Sequence, residues 1–180
     1  SLLTLAFELL SDSKTHINSN IRLRLINNLA KMSGQNGLAG GQSLDLLYEK
    51  KNVSMKEIIM MHDLKTAKLF EFCMLSPLIL SGTNTPARER EYRKYGKNFG
   101  LIFQATDDLL DHEGKKYITG KKTQKDLKKN KGSIIKYKTS KEVKVYCKNL
   151  ADSATIKTKA FRSPENIFNK LIYKIIDRTS

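Results

Sequence analysis

The residues of this chain that stand closest to chemistry are three aspartates, Asp107, Asp108 and Asp111, in the run Phe103-Gln104-Ala105-Thr106-Asp107-Asp108-Leu109-Leu110-Asp111. An α-helix advances about 100° per residue, so Asp107 and Asp111 fall nearly in line, with Asp108 on their shoulder and Gln104 one turn before. Crowded carboxylates repel each other and raise their own pKa values unless a cation is present. Hard divalent cations take oxygen ligands, and Mg2+ uses only one or two carboxylates, completing its octahedron with water and phosphate oxygens. The spacing fits a Mg2+–phosphate clamp. It also fits a solvated acidic face on an amphipathic helix, because a DDxxD pattern is short.

Two other polar pairs could join such a site. Gln42 and Asp45 follow the glycine cluster Gly37–Gly41 and lie one helical turn apart on a shared face. No strand precedes the cluster and the GxGxxG order is wrong, so a dinucleotide loop is a poor fit. Glycines in a helix instead permit close approach of another helix or a ligand, and Gln42 and Asp45 serve either as structural hydrogen-bonders or as site residues. Lys65-Thr66 opens the next apolar stretch. Its lysine either snorkels at the surface or offers a fixed positive charge to a phosphate. The doublet His62-Asp63 occurs in metal-dependent phosphohydrolases, but those need further ligands, for which His16 and His112 are poor candidates.

The elements that must position these residues read as helices. Ser1–Leu10 is apolar nearly all round and predicts a buried helix. Asn18–Met32 repeats Ile21, Leu25, Leu29 and Met32 at helical spacing, and Ser33-Gly34 closes it. Ser54 with Glu57 forms a capping-box pattern for the next helix. Ser76-Pro77 predicts a kink in the helix that follows Lys65-Thr66. Pro86 starts a long helix whose stripe Tyr95, Phe99, Ile102 and Phe103 runs into the acidic cluster. Glu113–Gly132 is polar, lysine-rich and without apolar periodicity, which predicts a flexible loop, either an ordinary one or a cationic lid beside the acidic helix. Ile134–Leu150 predicts a weaker helix with Val143, Val145 and Cys147 on its stripe. Ser163-Pro164 predicts the start of the last helix, striped by Ile167, Phe168, Leu171, Ile172, Ile175 and Ile176. No strand pattern or repeat is visible, so residues 1–180 read as a single all-α domain.

Composition narrows the partners. The chain has 33 Lys and Arg against 18 Asp and Glu, a formal net charge of +15. Such a charge favours nucleic acid, an anionic membrane face or phosphorylated small molecules. No RNA-recognition aromatic signature or finger spacing accompanies it, so nucleic acid is not the expected partner. No apolar run reaches the roughly 18 residues of a membrane span. No signal peptide is visible. Cys73 and Cys147 form no CxxC pair, and a reducing, cytoplasmic setting is expected.

Five segments, in order, resemble the trans-polyprenyl (farnesyl/geranylgeranyl-type) diphosphate synthase family: Leu2–Asp12, Gly40–Leu46, Leu64–Leu69, Phe103–Asp111 and Gly120–Ser133. The resemblance implies an all-α isoprenoid-synthase bundle around a central cavity, a homodimer, and Mg2+-dependent condensation of an allylic diphosphate with isopentenyl diphosphate. It implies that Asp107, Asp108 and Asp111 form an aspartate-rich metal motif, with Asp107 the direct Mg2+ ligand and the others acting partly through water. Lys65, Lys121 or Lys122, and Lys131 would meet diphosphate. The oxygens of Thr66 and Gln104 would face the developing carbocation. Gln42 and Asp45 would line the cavity, and Asp126 would belong to the lid. The family's first aspartate-rich motif and its product-length residues have no counterpart in these 180 residues. The expectation is therefore the C-terminal part of a synthase, with the N-terminal helices missing, inactive by itself in chain elongation and exposing apolar surface on its opening helices. A non-catalytic partner subunit of a full-length synthase and a basic nucleic-acid-binding helical domain are the alternatives.

Overall fold

The computed structural model describes residues 2–49, 51–119, 132–154 and 167–178. Among them the regular structure is helical: α1 (Leu2–Ser11), α2 (Ser19–Ser33), α3 (Leu38–Tyr48), α4 (Met55–His62), a π-helical turn (Asp63–Ala67), α5 (Lys68–Leu80), α6 (Pro86–Thr119), a 3-10 turn (Ile134–Lys136), α7 (Ser140–Ser153) and α8 (Ile167–Ile176). The all-α expectation holds.

Helix α6 is the central element, packed against α5, the π-helical turn, α7 and α8. Three of the four predicted stripe residues, Tyr95, Phe99 and Ile102, are buried together with Ala105 against Val143, Cys147 and Ala151 of α7 and Ile172 of α8. Phe103 is half-buried beside this core, against Phe70 and Arg178. Two polar contacts fasten this core at its rim. The Tyr95 hydroxyl donates to the Phe168 carbonyl at 2.8 Å. The buried Asn98 amide donates to the Leu150 carbonyl and the Ser153 hydroxyl near the C-terminal end of α7. A second core joins α2 to α5 through Leu25, Met32, Leu75 and Ile79, and a third joins α3 to α4 through Tyr48, Ile58 and Met61.

The starts of the helices follow local chemistry. Asn18 caps α2 by accepting from the Asn20 amide. Ser54 and Glu57 close the expected capping box on α4, satisfying amides that the first turn leaves without helical partners. Pro86 is the first residue of α6, where its missing N–H costs nothing.

Several expectations need correction. None of the residues of α1 is buried: Leu10 packs partly against the α2–α5 core, but Leu2, Leu3, Leu5 and Leu9 are exposed, Leu2 by 85%. Helix α6 continues through the polar stretch to Thr119. Once a helix is nucleated each further residue adds a hydrogen bond, and Glu113, Lys115 and Lys116 are good helix formers, so lack of an apolar stripe does not stop it. The rest of the predicted lid, 120–131, lies outside the described residues. The single helix expected over Ile134–Leu150 is a 3-10 turn followed by α7. Thr139 and Glu142 form a second capping box there, a T-x-x-E signal present in the sequence. Val145 is exposed rather than part of the stripe. Pro77 needs no such correction: it lies inside α5, at the position expected for it, and the helix runs on to Leu80. The predicted start of the last helix at Ser163-Pro164 lies outside the described residues.

Candidate active site

The site is built where three helices meet the π-helical turn. This turn carries Lys65 and Thr66 between α4 and α5 without a break. It is gripped from both sides by glycine. A Cβ on Gly41 of α3 would lie 2.2 Å from the Lys65 nitrogen, and one on Gly100 of α6 would lie 2.5 Å from the Ala67 Cα. Both distances are far inside van der Waals contact, so only glycine lets α3 and α6 approach this closely. The glycine cluster thus serves helix–helix approach. π-Helical turns are rare and are found frequently at functional sites.

On this base the predicted residues fall into two groups that share one wall. Lys65 pairs with Asp45 of α3, and both side chains remain partly accessible. The Thr66 hydroxyl donates to Gln104 Oε1 at 2.9 Å. Gln104 Nε2 donates to Asp108 Oδ1 at 3.0 Å. Asp108 Oδ2 accepts the Ile134 amide at 2.9 Å. Lys65, Thr66, Gln104, Asp45 and Asp108 are therefore brought together from three elements. Gln42 is exposed on α3, outside this hydrogen-bonded group. Lys121, Lys122, Asp126 and Lys131 lie outside the described residues.

The three aspartates do not act alike. Asp107 pairs with Arg178, just beyond α8, whose guanidinium also stacks 5.0 Å above the Phe103 ring. Asp108 is fully engaged by N–H donors and only 10% exposed. Asp111 is exposed. Among the described residues no three His, Cys, Asp or Glu side chains converge on one metal position. Mg2+ takes few carboxylates and keeps water and phosphate oxygens. Asp107 already neutralises one cation, and its carboxylate remains 40% accessible. The donor set, hard oxygens at i and i+4 on one helix face, fits Mg2+.

His62 and Asp63 point apart. The buried His62 Nε2 donates to the Gly132 carbonyl at 3.1 Å and lies 3.8 Å from Asp108 Oδ2. Burial lowers the imidazole pKa, against the opposing pull of the Asp108 carboxylate. Asp63 pairs with Lys97 at 2.8 Å. The doublet does not form a shared metal site.

Sequence reasoning missed Arg178, the tether from His62 to Gly132, and the π-helical turn. A signal existed for His62, since it continues the buried spacing Ile58, Met61, His62 on α4. Arg178 follows the last helix with no periodicity to mark it. The composition of Asp63–Ala67 is ordinary for a helix, and nothing in it announces a wider turn.

The Polyprenyl synthetase family profile matches residues 1–171. This chain belongs to the polyprenyl synthetase family. It is 35% identical over 134 residues to the farnesyl diphosphate synthase of Bacillus subtilis, an alignment that takes in 73% of this chain and 45% of that enzyme. Its fold matches a solved farnesyl/geranylfarnesyl (FPP/GFPP) synthase from Zymomonas mobilis with a TM-score of 0.77 at 29% identity, over 96% of this chain and 57% of that one. It also matches a geranyltransferase from Helicobacter pylori, solved with magnesium and isoprenyl diphosphate, with a TM-score of 0.73 at 26% identity, over 98% of this chain and 56% of that one. The chain spans about half the length of the relatives it matches.

Proposed function

We propose that this chain carries the diphosphate-binding wall of a Mg2+-dependent prenyltransferase that joins an allylic diphosphate to isopentenyl diphosphate. The observation that carries the reading is the grouping of Lys65, Thr66, Gln104 and Asp108 on one wall, with Asp107 on the same helix as Gln104 and Asp108. Family membership and a relative solved with magnesium and isoprenyl diphosphate support it.

In this reading Asp107 would hold Mg2+, with Asp111 one turn later as a second acid and Asp108 adding charge from behind. Bound Mg2+ would neutralise the negative charge that gathers on the departing diphosphate. Lys65 exchanges its partner Asp45 for a diphosphate oxygen, moving a positive charge onto the leaving group. Lys121 or Lys122, and Lys131, supply further cations of the same kind. Thr66 and Gln104 offer oxygen dipoles to the allylic cation, stabilising it without the nucleophilicity that would trap it. Gln42 and Asp45 complete the wall. The reading extends to a homodimer and a cytoplasmic setting.

The test is binding of Mn2+ with inorganic pyrophosphate, followed by electron paramagnetic resonance and calorimetry. Removing one charged hydrogen-bonding partner removes about 2 kcal/mol, roughly thirty-fold in affinity. Losses of that order are expected for Asp107→Asn and Lys65→Ala. Binding unchanged by both substitutions overturns the site. The purified 180-residue chain is expected to show little or no chain elongation. Steady turnover of both diphosphates by this chain would contradict that part of the reading.

A further inference from the structure

We infer that Asp108 is a positioning residue that fixes which end of the Gln104 amide faces Thr66 and clasps residues Gly132–Ile134 to the acidic helix. The contacts are mutually determining. A carboxylate only accepts hydrogen bonds, whereas a primary amide has one accepting and one donating end. With Asp108 Oδ1 3.0 Å away, Gln104 must turn its NH2 group to Asp108. Its oxygen is then left for the Thr66 hydroxyl at 2.9 Å. The other Asp108 oxygen holds the Ile134 amide at 2.9 Å. His62 holds the neighbouring Gly132 carbonyl at 3.1 Å. Gly132 itself fits where a Cβ would lie 2.9 Å from Asp45 Oδ1, and the Ile134 side chain is buried. One nearly buried carboxylate thus determines the polarity of a chain of hydrogen bonds from α6 to the π-helical turn, and anchors the backbone that leads into the 3-10 turn.

The consequence for chemistry rests on the proposed function. If Thr66 and Gln104 stabilise an allylic cation, the amide must present oxygen, not NH2, towards Thr66, and Asp108 enforces this. The consequence for structure does not depend on that reading and is tested without metal or substrate.

The substitutions separate polarity from anchoring. In Asp108→Asn the introduced oxygen must accept from Ile134, so the introduced NH2 faces Gln104 and forces its amide to reverse. In Gln104→Glu two carboxylates face each other at hydrogen-bonding distance. The double variant Q104E/D108N satisfies every group again and restores an oxygen to Thr66.

Amide hydrogen exchange and side-chain amide NMR of the full 180-residue chain read the outcome. Exchange at Ile134 is expected to speed by roughly ten-fold or more in Asp108→Ala, where the amide loses its acceptor. It should stay within about three-fold of wild type in Asp108→Asn, where the acceptor is kept, while the Gln104 NH2 protons gain a nuclear Overhauser contact to Thr66. Gln104→Glu is expected to lower both the thermal midpoint and Ile134 protection, and Q104E/D108N to recover them. Unchanged Ile134 exchange in Asp108→Ala overturns the inference. So does a double variant no better than Gln104→Glu, a comparison that stands even if the alanine variant fails to fold. Failure here leaves the Mn2+–pyrophosphate result untouched, and loss of that binding leaves these exchange rates untouched, so the two failures are distinguishable.

Discussion

At the scale of single residues, burial decides what each titratable group does. Cys147 is fully buried in the α6–α7 core, and burial pushes its thiol up to about 12. The thiolate is the reactive form, so Cys147 should resist alkylation in the folded chain. Mass spectrometry after brief iodoacetamide treatment should find label on the exposed Cys73 alone, with Cys147 labelled only in denaturant. Label on Cys147 in the native protein would contradict the packing described. His62 gives a pH dependence of defined sign. Its folded pKa lies below the ordinary 6.5 because burial disfavours the charged ring. As pH falls through 6.5 the unfolded chain takes a proton that the folded chain resists, so stability falls with it and is regained as pH rises. The urea midpoint of the metal-free chain should therefore drop between neutral pH and about pH 5.5. His62→Gln, which keeps an N–H for Gly132 and does not titrate, should flatten that slope.

At the scale of elements, close approach sets the site. Gly41 meets the backbone of Lys65, which cannot swing aside as a side-chain tip can. Gly41→Ala should therefore destabilise by about 1–3 kcal/mol, as overpacking does, read as a lower denaturant midpoint. It should also weaken the Lys65–Asp45 pair, which lies across this contact. Helices of this kind were legible from the sequence because their signals are local. The spacing of Tyr95, Phe99 and Ile102 and the Ser54–Glu57 box depend only on neighbours a turn or two away. The aspartates, Gln104, Lys65 and Thr66 were legible through family resemblance. What remained hidden is set by partners far along the chain. Arg178 reaches Asp107 across 71 positions and His62 reaches Gly132 across 70. Asp108 accepts from Ile134, 26 positions on, which no pattern within its own helix would suggest, whereas its other donor, Gln104, lies one turn back on the same face. The misread of α1 has the same root: an apolar helix asks to be covered, but periodicity does not say by what.

At the scale of the whole molecule, two surface properties oppose each other. Leu2, Leu5 and Leu9 recur at helical spacing on α1 and are exposed, Leu9 by 57%. The net charge of +15 repels one copy from another, and salt screens that repulsion while leaving apolar attraction in place. The chain should therefore sediment as larger species at about 0.5 M salt than at about 0.05 M. Leu9→Lys should reduce the difference, and a monomer at both salt concentrations would contradict it.

The widened turn at Asp63–Ala67 has a consequence for how this wall tolerates change in chain length. A π-helical turn holds one residue more than the α-helix around it. Excising Leu64 would therefore let α4 and α5 fuse into a regular rod whose two flanks keep nearly the same phase. The change would fall on the turn itself: Lys65 and Thr66, put on α-helical spacing, would shift against Asp45 and Gln104, although composition, helicity and core would barely change. A one-codon deletion here is thus expected to leave the circular-dichroism spectrum nearly intact while weakening pyrophosphate binding, which makes the width of this turn, rather than the rod that contains it, the quantity the sequence must preserve.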